Sequence, residues 1–360
     1  DNIGIYYYYY KLDNEEEIRV EKNSYTFEGL EKDIIHTVTV RVEDAAGNEA
    51  SDSKEVTVGL KGGTFILASE NAPTNSTTDW TNEGKGITYY YTGNPNNWVQ
   101  FAGFYWRIIR INGDGSIRMI YQGTSANTTG TETQIGTSTF NSIWDYDLDD
   151  NMYVGFKFTN FQVHGTGTNS SILNTLNNWY ASSLSDETKY IDGNAGFCGD
   201  RIPSTIENSS NGLGGTGTTT TYYGAYIRLY NKGTSNSNPS LQCDSRDIYT
   251  TTDSSNGNKS LQYPIGLVTA DEIALTGITW NNANTGSYLY TGEYYWTMSP
   301  NRFDSEVDSP YVFYVFDDGR LGSFGTVNGI WGVRPVINLR SDVSLTGSGT
   351  TTDPFKLSVE

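Results

Sequence analysis

The sequence predicts a mostly β protein with an α+β region towards its C-terminus. Short runs of aromatic and β-branched residues recur along the chain, each bounded by turn residues, as expected of strands. Two turn sequences predict hairpins: Asn-Gly-Asp-Gly at 112–115 and Asp318-Gly319. Helical spacing of apolar residues is clear in only two segments, 170–184 and 269–275.

Residues 1–58 form the first predicted domain, and they carry six basic against 14 acidic residues. We predict five strands in this domain, at 3–12, 18–20, 24–27, 35–42 and 55–58. Alternation along the fourth strand places Val38, Val40 and Val42 on one face, which we expect to face the core.

The series Tyr-Thr-Phe-Glu-Gly-Leu, followed by His-Thr-Val-Thr-Val-Arg-Val-Glu-Asp-Ala-Ala-Gly-Asn, resembles bacterial immunoglobulin-like or fibronectin-type-III-like modules. That resemblance implies a β-sandwich, which needs about seven strands. Only five are predicted, so we expect an incomplete sandwich whose first strands are missing. Upstream residues or a strand from a neighbouring subunit would then fill the gap. Residues 59–63 are glycine-rich and are predicted to be a short linker.

The second predicted domain spans residues 64–360. Its first five predicted strands lie at 64–69, 87–91, 98–101, 104–111 and 116–122. Ser170 or Ser171 can cap the first helix, whereas Thr269 and Glu272 predict a capping box for the second. Polar segments at 124–139, 204–221 and 232–258 are predicted to be long loop insertions.

Several ordered motifs of this domain, among them YYWTMSP, YVFYVFDDGRLGS and GIWGVRPVINL between 294 and 339, resemble C-type-lectin-like domains of bacterial surface proteins. That family includes sulfatase-modifying-enzyme-like folds and the variable proteins of diversity-generating retroelements. The resemblance implies a fixed core at Trp296 and residues 333–336. It implies a ligand-binding face on the final hairpins, formed by Asn301, Arg302, Phe303, Asp304, Tyr311, Phe313, Arg320, Phe324, Asn328, Ile330 and Trp331.

The two cysteines, Cys198 and Cys243, are predicted to form one disulfide in an oxidising compartment. The alternative is that both cysteines are buried free thiols.

A metal site is the first chemical alternative, because Asp145, Asp147 and Asp149 resemble the start of a Ca²⁺ loop. The glycine and glutamate that an EF-hand needs are absent, since Asp150 and Phe156 occupy those positions. A different Ca²⁺ site using the three aspartates, or a solvated acidic loop, both stay open. No other cofactor is expected.

Nucleophilic catalysis is the second alternative. The chain has two histidines, His36 and His164, and neither lies in a recognisable triad signature. The sequence therefore predicts a protein without enzymatic activity.

Charge and hydropathy argue against several classes of partner. The net charge of −19 argues against nucleic acid and against docking on anionic lipid. No run of about 18 apolar residues occurs, so we expect no membrane span.

Its 27 Tyr, 14 Phe and 8 Trp suggest aromatic contact surfaces. We therefore expect an extracellular adhesin or ligand-binding protein on a bacterial cell surface, which binds a protein or glycan on another cell or matrix. The alternative is a structural subunit of a surface filament, in which copies associate through residues 1–58.

Overall fold

The computed structural model describes residues 5–30, 35–57, 59–79, 87–126, 128–142, 150–204, 220–230, 237–252 and 257–358. The chain divides into two compact units, Asp1–Lys61 and Gly62–Glu360. Within the described residues the protein is mostly β, as predicted. Across the same residues, no helix is both long and apolar enough to cross a membrane.

The N-terminal unit contains one antiparallel sheet in the order β2-β1-β3-β4. Its strands are β1 (Ile5–Leu12), β2 (Ile18–Val20), β3 (Ile35–Asp44) and β4 (Glu49–Thr57). The predicted strand at 24–27 is wrong, because this segment packs through its rings instead of pairing through its backbone. Tyr25 stacks on Tyr10 with ring centroids 5.8 Å apart, and Phe27 lies 5.0 Å from Tyr25.

The register of this sheet defines its two faces. Tyr8 and Tyr10 pair with Val42 and Val40, and directly paired residues point to the same side. The valines of this face are half-buried, whereas Tyr10 is buried. On the opposite face, Arg41 lies over the ring of Tyr9 and forms ion pairs with nearby glutamates. The structure therefore shows a single sheet with one apolar face, and no second sheet of a sandwich is seen in residues 5–30 and 35–57.

The helices of the C-terminal unit are short apart from the second. They are α1 (Gly62–Leu67), α2 (Ser171–Ser183), α3 (Gly224–Leu229) and α4 (Ala270–Leu275). The first half of its strands is β5 (Asn75–Thr77), β6 (Thr88–Tyr90), β7 (Trp98–Phe101), β8 (Phe104–Ile111), β9 (Ile117–Gly123), β10 (Thr137–Ser138), β11 (Lys157–Phe158), β12 (Thr168–Asn169) and β13 (Phe197–Cys198). The second half is β14 (Thr221–Tyr222), β15 (Ile248–Tyr249), β16 (Tyr295–Asp304), β17 (Ser309–Val315), β18 (Leu321–Thr326), β19 (Trp331–Gly332), β20 (Val336–Leu339), β21 (Leu345–Thr346) and β22 (Phe355–Leu357).

The predicted strand at 64–69 is wrong, because helix α1 occupies this segment. Gly62 adopts a φ of 51°, which a residue with a side chain rarely adopts. Its amide donates to the carbonyl of Val343 at 2.7 Å, and the amide of Gly63 donates to Gly115 at 2.8 Å. Contacts with residues far along the chain thus outweigh the β propensity of Thr64, Phe65 and Ile66.

Two larger sheets enclose the core of this unit. One has the order β20-β9-β8-β7-β22-β21, with β6 pairing to β8 and to β5. The other has the order β10-β19-β16-β17-β18, with β14 pairing to β16. Both predicted hairpins are confirmed, β8 with β9 and β17 with β18. In the second, Gly319 has a φ of 80°, as the predicted Asp-Gly turn requires.

Helix α4 is bound to β8 and β9 of the first of these sheets through buried charges. Its predicted capping box is confirmed, with Thr269 accepting from the amide of Glu272 and Glu272 from that of Thr269. The same glutamate forms ion pairs with Arg110 at 2.9 Å and Arg118 at 2.5 Å. All three charged side chains are buried, so each charge depends on the others for compensation.

The predicted disulfide between Cys198 and Cys243 is confirmed, with Cα atoms 6.0 Å apart. It ties strand β13 to a segment 45 residues later. Most of the predicted insertion at 204–221 lies outside the described residues. Asp145, Asp147 and Asp149 all lie outside them as well.

Candidate functional site

The eleven residues predicted to bind a ligand lie on β16, β17 and β18, in the turn between β17 and β18, on the segment that leads into β19, and on β19 itself. The structure buries three of them completely: Asn301, Phe303 and Phe313. Their placement on a binding face is therefore corrected, because a side chain without solvent exposure cannot contact a ligand directly. Asn301 and Phe303 are two residues apart on β16, so alternation turns both inward.

Arg302 lies between two aromatic rings. Its guanidinium carbon is 4.9 Å from the ring centroid of Tyr311 and 4.5 Å from that of Phe324. These two rings meet edge to face at 6.1 Å. The guanidinium also donates to the carboxylate of Asp304 at 3.1 Å. Four of the predicted residues thus form one contact unit, in which the cation is held in a defined orientation.

The aromatic contacts continue beyond the predicted residues. Phe324 meets Tyr230 edge to face at 5.8 Å, and Tyr230 meets Trp280 at 4.7 Å. Tyr230 also lies 4.9 Å from Tyr226, which lies 4.6 Å from Tyr222. We call this set the Arg302 surface; it consists of Arg302, Asp304, Tyr311, Phe324, Tyr222, Tyr226, Tyr230 and Trp280.

Sequence reasoning missed the tyrosines at 222, 226 and 230. Their spacing of four residues is a helical signal, but only Tyr226 lies within α3, since Tyr222 is on β14 and Tyr230 follows the last helical residue. No sequence signal marked Trp280, because it lies about 50 residues after Tyr230 and joins the Arg302 surface only in the folded chain.

Trp331 belongs to a different cluster. It stacks on Tyr314 at 4.1 Å and lies 4.2 Å from Trp296 and 6.3 Å from Tyr294. The neighbouring Phe316 carries the guanidinium of Arg320 at 4.8 Å. We call Trp331, Tyr314, Trp296, Tyr294, Phe316 and Arg320 the Trp331 cluster.

The Arg302 surface and the Trp331 cluster lie on opposite faces of β18. A Cβ atom at Gly325 would come within 2.5 Å of the Trp331 ring. Phe324, the residue before it, contacts Tyr311 instead. Since successive side chains on a strand point to opposite faces, the predicted residues do not form one binding face.

The two surfaces differ in exposure. Phe324 is 48% exposed, while Trp331 is half-buried and Tyr314 is buried. Burial raises the pKa of Tyr314 to about 12, so its hydroxyl stays protonated at neutral pH. Asn328 and Ile330 are exposed, and they precede Trp331 in the sequence. In the Trp331 cluster, Tyr314 and Trp296 are buried and the other members are half-buried, whereas the Arg302 surface includes the exposed Phe324 and is therefore the better binding candidate.

Both histidines are held by carboxylates. The Nδ1 atom of His164 lies 2.8 Å from Asp247, and that of His36 lies 2.7 Å from Asp13. Asp247 also accepts a hydrogen bond from the amide of Arg201 at 2.7 Å. These hydrogen bonds connect three loop segments. A structural role is therefore sufficient to explain the pairing of His164 with Asp247. Within the described residues, no group of three or more His, Cys, Asp or Glu side chains could hold a metal ion.

Comparison with known proteins adds no relative: no family model, curated protein or solved structure matches the chain. The resemblances to C-type-lectin-like and immunoglobulin-like domains therefore remain predictions carried by the sequence motifs.

Proposed function

We propose that this chain is a non-catalytic, extracellular ligand-binding protein of a bacterial surface, and that its Arg302 surface contacts a protein ligand. The observation that carries this proposal is the position of Arg302 between Tyr311 and Phe324. Two rings and the Asp304 carboxylate already hold the guanidinium, so little side-chain entropy is lost when a partner binds it.

The composition of the surface supports a protein partner. Arginine, tyrosine and tryptophan are the residue types most enriched among those that dominate protein–protein binding energy. Here they occur together with an exposed phenylalanine, Phe324. Tyrosine also suits glycans, because its ring presents an apolar face and a polar hydroxyl. A glycan is therefore the alternative ligand for the same surface.

The disulfide supports the extracellular assignment. Disulfides persist in oxidising compartments and are rare in the cytosol. Cys198 and Cys243 are bonded in the structure, and they close a loop that contains α3 of the Arg302 surface.

A binding panel tests the proposal. The full chain is immobilised and exposed to fibronectin, fibrinogen, laminin and collagen, and to a glycan array. We expect at least one protein to bind, and Tyr311→Ala with Phe324→Ala to weaken that binding about a hundredfold, because each ring is worth about 1–2 kcal/mol.

Phe161→Ala is the matched control. Phe161 is 61% exposed, so its replacement also removes an exposed phenylalanine, but from a site outside the Arg302 surface. Binding should be unchanged in this control. A wild-type chain that binds no member of the panel, or binding that survives the double replacement, would contradict the proposal.

A second candidate function is a subunit of a surface filament. It is favoured by the sheet of the N-terminal unit, where Val38, Val40 and Val42 share a face that is only half-buried. The outer edges of β2 and β4 have no paired strand within residues 5–30 and 35–57. A strand from a second copy could pair at such an edge, and the sheet of that copy could pack on the apolar face.

Size measurement separates the two candidate functions. A filament subunit should form concentration-dependent multimers in analytical ultracentrifugation, and deletion of residues 1–58 should abolish them. A ligand-binding protein should keep its binding after the same deletion. A full chain that stays monomeric at all concentrations would exclude the filament.

A further inference from the structure

A cavity of about 600 Å³ lies in the C-terminal unit, and the proposed function does not use it. Five chain segments line it: Tyr180 of α2, Thr188 with residues 191–194, and residues 251–252, 262–264 and 340–342. Its volume falls within the range of small-molecule sites in proteins. None of the residues of the Arg302 surface lines this cavity.

Backbone hydrogen bonds fix the walls of this cavity. The amide of Asp192 donates to Asn338 at 2.7 Å, and the amide of Arg340 donates to Tyr190 at 2.9 Å. The amide of Thr251 donates to Gly193 at 3.3 Å. The cavity is thus formed before any ligand arrives, so binding costs little ordering of the chain.

Two stacked tyrosines form its aromatic part. The rings of Tyr180 and Tyr263 are nearly parallel, at 19°, with centroids 4.8 Å apart. Tyr180 is fully buried, and its hydroxyl has no hydrogen-bond partner among the described residues. Because Tyr180 has no exposed surface, the half-buried Tyr263 is the ring of this pair that a ligand can contact.

The remaining lining is polar and supplies both donors and acceptors. Asp192, Asn194, Thr252 and Gln262 all contribute to the wall. Arg340 and Asp342 neutralise each other through two hydrogen bonds of 2.8 Å and 2.6 Å. Thr252 donates to the side-chain oxygen of Asn194, and the amide of Asn194 donates to Asp192 at 2.8 Å, so a lipid would mainly leave the exposed Gln262 amide without a partner. An anion would meet the carboxylate of Asp192.

A neutral molecule with many hydroxyl groups fits this lining. Its hydroxyls can donate to carboxylate and amide oxygens and accept from amide nitrogens, while its C–H face lies against a tyrosine ring. We propose that this cavity is a carbohydrate site for a short neutral saccharide, separate from the Arg302 surface.

Titration of the full chain with sugars tests this site. The probes are glucose, galactose, mannose, N-acetylglucosamine and their common disaccharides, followed by saturation-transfer NMR and calorimetry. We expect at least one to bind. We expect Asp192→Asn, which removes a charge at nearly constant shape, to weaken its affinity about tenfold.

Gln262→Ala is the second variant, because Gln262 is exposed and its replacement leaves the fold intact even if Asp192→Asn does not. Gln162→Ala is its matched control, since Gln162 is also exposed but does not line the cavity. Affinity lowered in either cavity variant, but unchanged in Gln162→Ala and in Phe324→Ala, supports the site. Failure of every sugar to bind, wild-type affinity in both cavity variants, or equal weakening in Gln162→Ala overturns it.

Discussion

The guanidinium carbon of Arg302 lies 4.5 Å from the ring centroid of Phe324, a residue two strands away in the same sheet. Phe324 remains 48% exposed although it covers this cation. The pair therefore places an exposed apolar ring over a cation whose own side chain is only 12% exposed.

Arg302→Lys should weaken binding to the ligand found in the panel by about tenfold or more. Lysine keeps the charge but lacks the planar group that stacks between Tyr311 and Phe324. Comparison of dissociation rates for the two proteins measures the effect, because contact loss acts mainly on dissociation. An unchanged rate would mean that only the charge of Arg302 is used.

Phe303→Ala and Phe324→Ala should separate stability from binding. Phe303 is fully buried, so its truncation should lower the free energy of unfolding by about 3–5 kcal/mol. Phe324 is about half exposed, and its truncation should cost about 1 kcal/mol or less. Urea unfolding of both variants measures this difference. Equal losses would contradict the burial of Phe303.

Glu272→Gln should be strongly destabilising, by about 3–5 kcal/mol, because it leaves Arg110 and Arg118 as buried charges with less compensation. Burial opposes ionisation of Glu272, but the charges of Arg118 and Arg110 outweigh it and keep the pKa of its carboxyl below the usual value. Thermal unfolding at neutral pH measures the loss.

Stability measured at acidic pH provides the control for the Glu272→Gln prediction. A carboxyl with a lowered pKa in the folded state stabilises the fold above its unfolded pKa, and that contribution disappears as pH falls. The difference between wild type and Glu272→Gln should therefore shrink in acid. A difference that is constant with pH would contradict the ion pairs.

Asp200→Asn should change the pH dependence of stability in the opposite sense. Burial, together with the negative charge of Asp271, raises the pKa of Asp200 to about 7, although both carboxylates contact Arg228. The folded state then holds a proton that the unfolded state has lost above about pH 4. Stability should fall as pH rises from about 4 to about 7.

The Asp200→Asn variant has no titratable group at this position, so its fall in stability over this window should be smaller. Each unit of pKa difference corresponds to about 1.4 kcal/mol. Melting temperatures of both proteins across the window measure the two slopes, and all other groups cancel in the comparison. Identical slopes would show that Asp200 stays ionised in the folded protein.

Cys198→Ala with Cys243→Ala should lower the free energy of unfolding by about 3–4 kcal/mol, as expected for a closed loop of 45 residues. The loss should also appear when wild type is treated with a reducing agent, and that treatment should not affect the variant. A wild-type melting temperature that is insensitive to complete reduction would contradict this prediction.

Local signals account for the features that the sequence predicted well. The Asp318-Gly319 turn and the Thr269–Glu272 capping box depend on residues within a few positions of each other. Both are present in the structure. Helix α2 follows in the same way from the spacing of Ile172, Leu176 and Tyr180.

Nonlocal contacts account for the errors. The segment at 64–69 has strand propensity, yet Val343 and Gly115 bind the glycines that open α1. The segment at 24–27 also has strand propensity, yet Tyr25 packs on Tyr10. In each case the decisive partner lies at least 15 residues away, where propensity carries no information.

The sequence by itself determined that the protein is mostly β, where two of its hairpins turn and that aromatic residues are concentrated near its C-terminal strands. Only the tertiary structure decided which face is covered: it buried Phe303 and Phe313, left Phe324 exposed and put Trp331 on the other side of β18. The physical reason is that a strand's sequence defines its two faces, whereas burial depends on which distant segments pack against each of them.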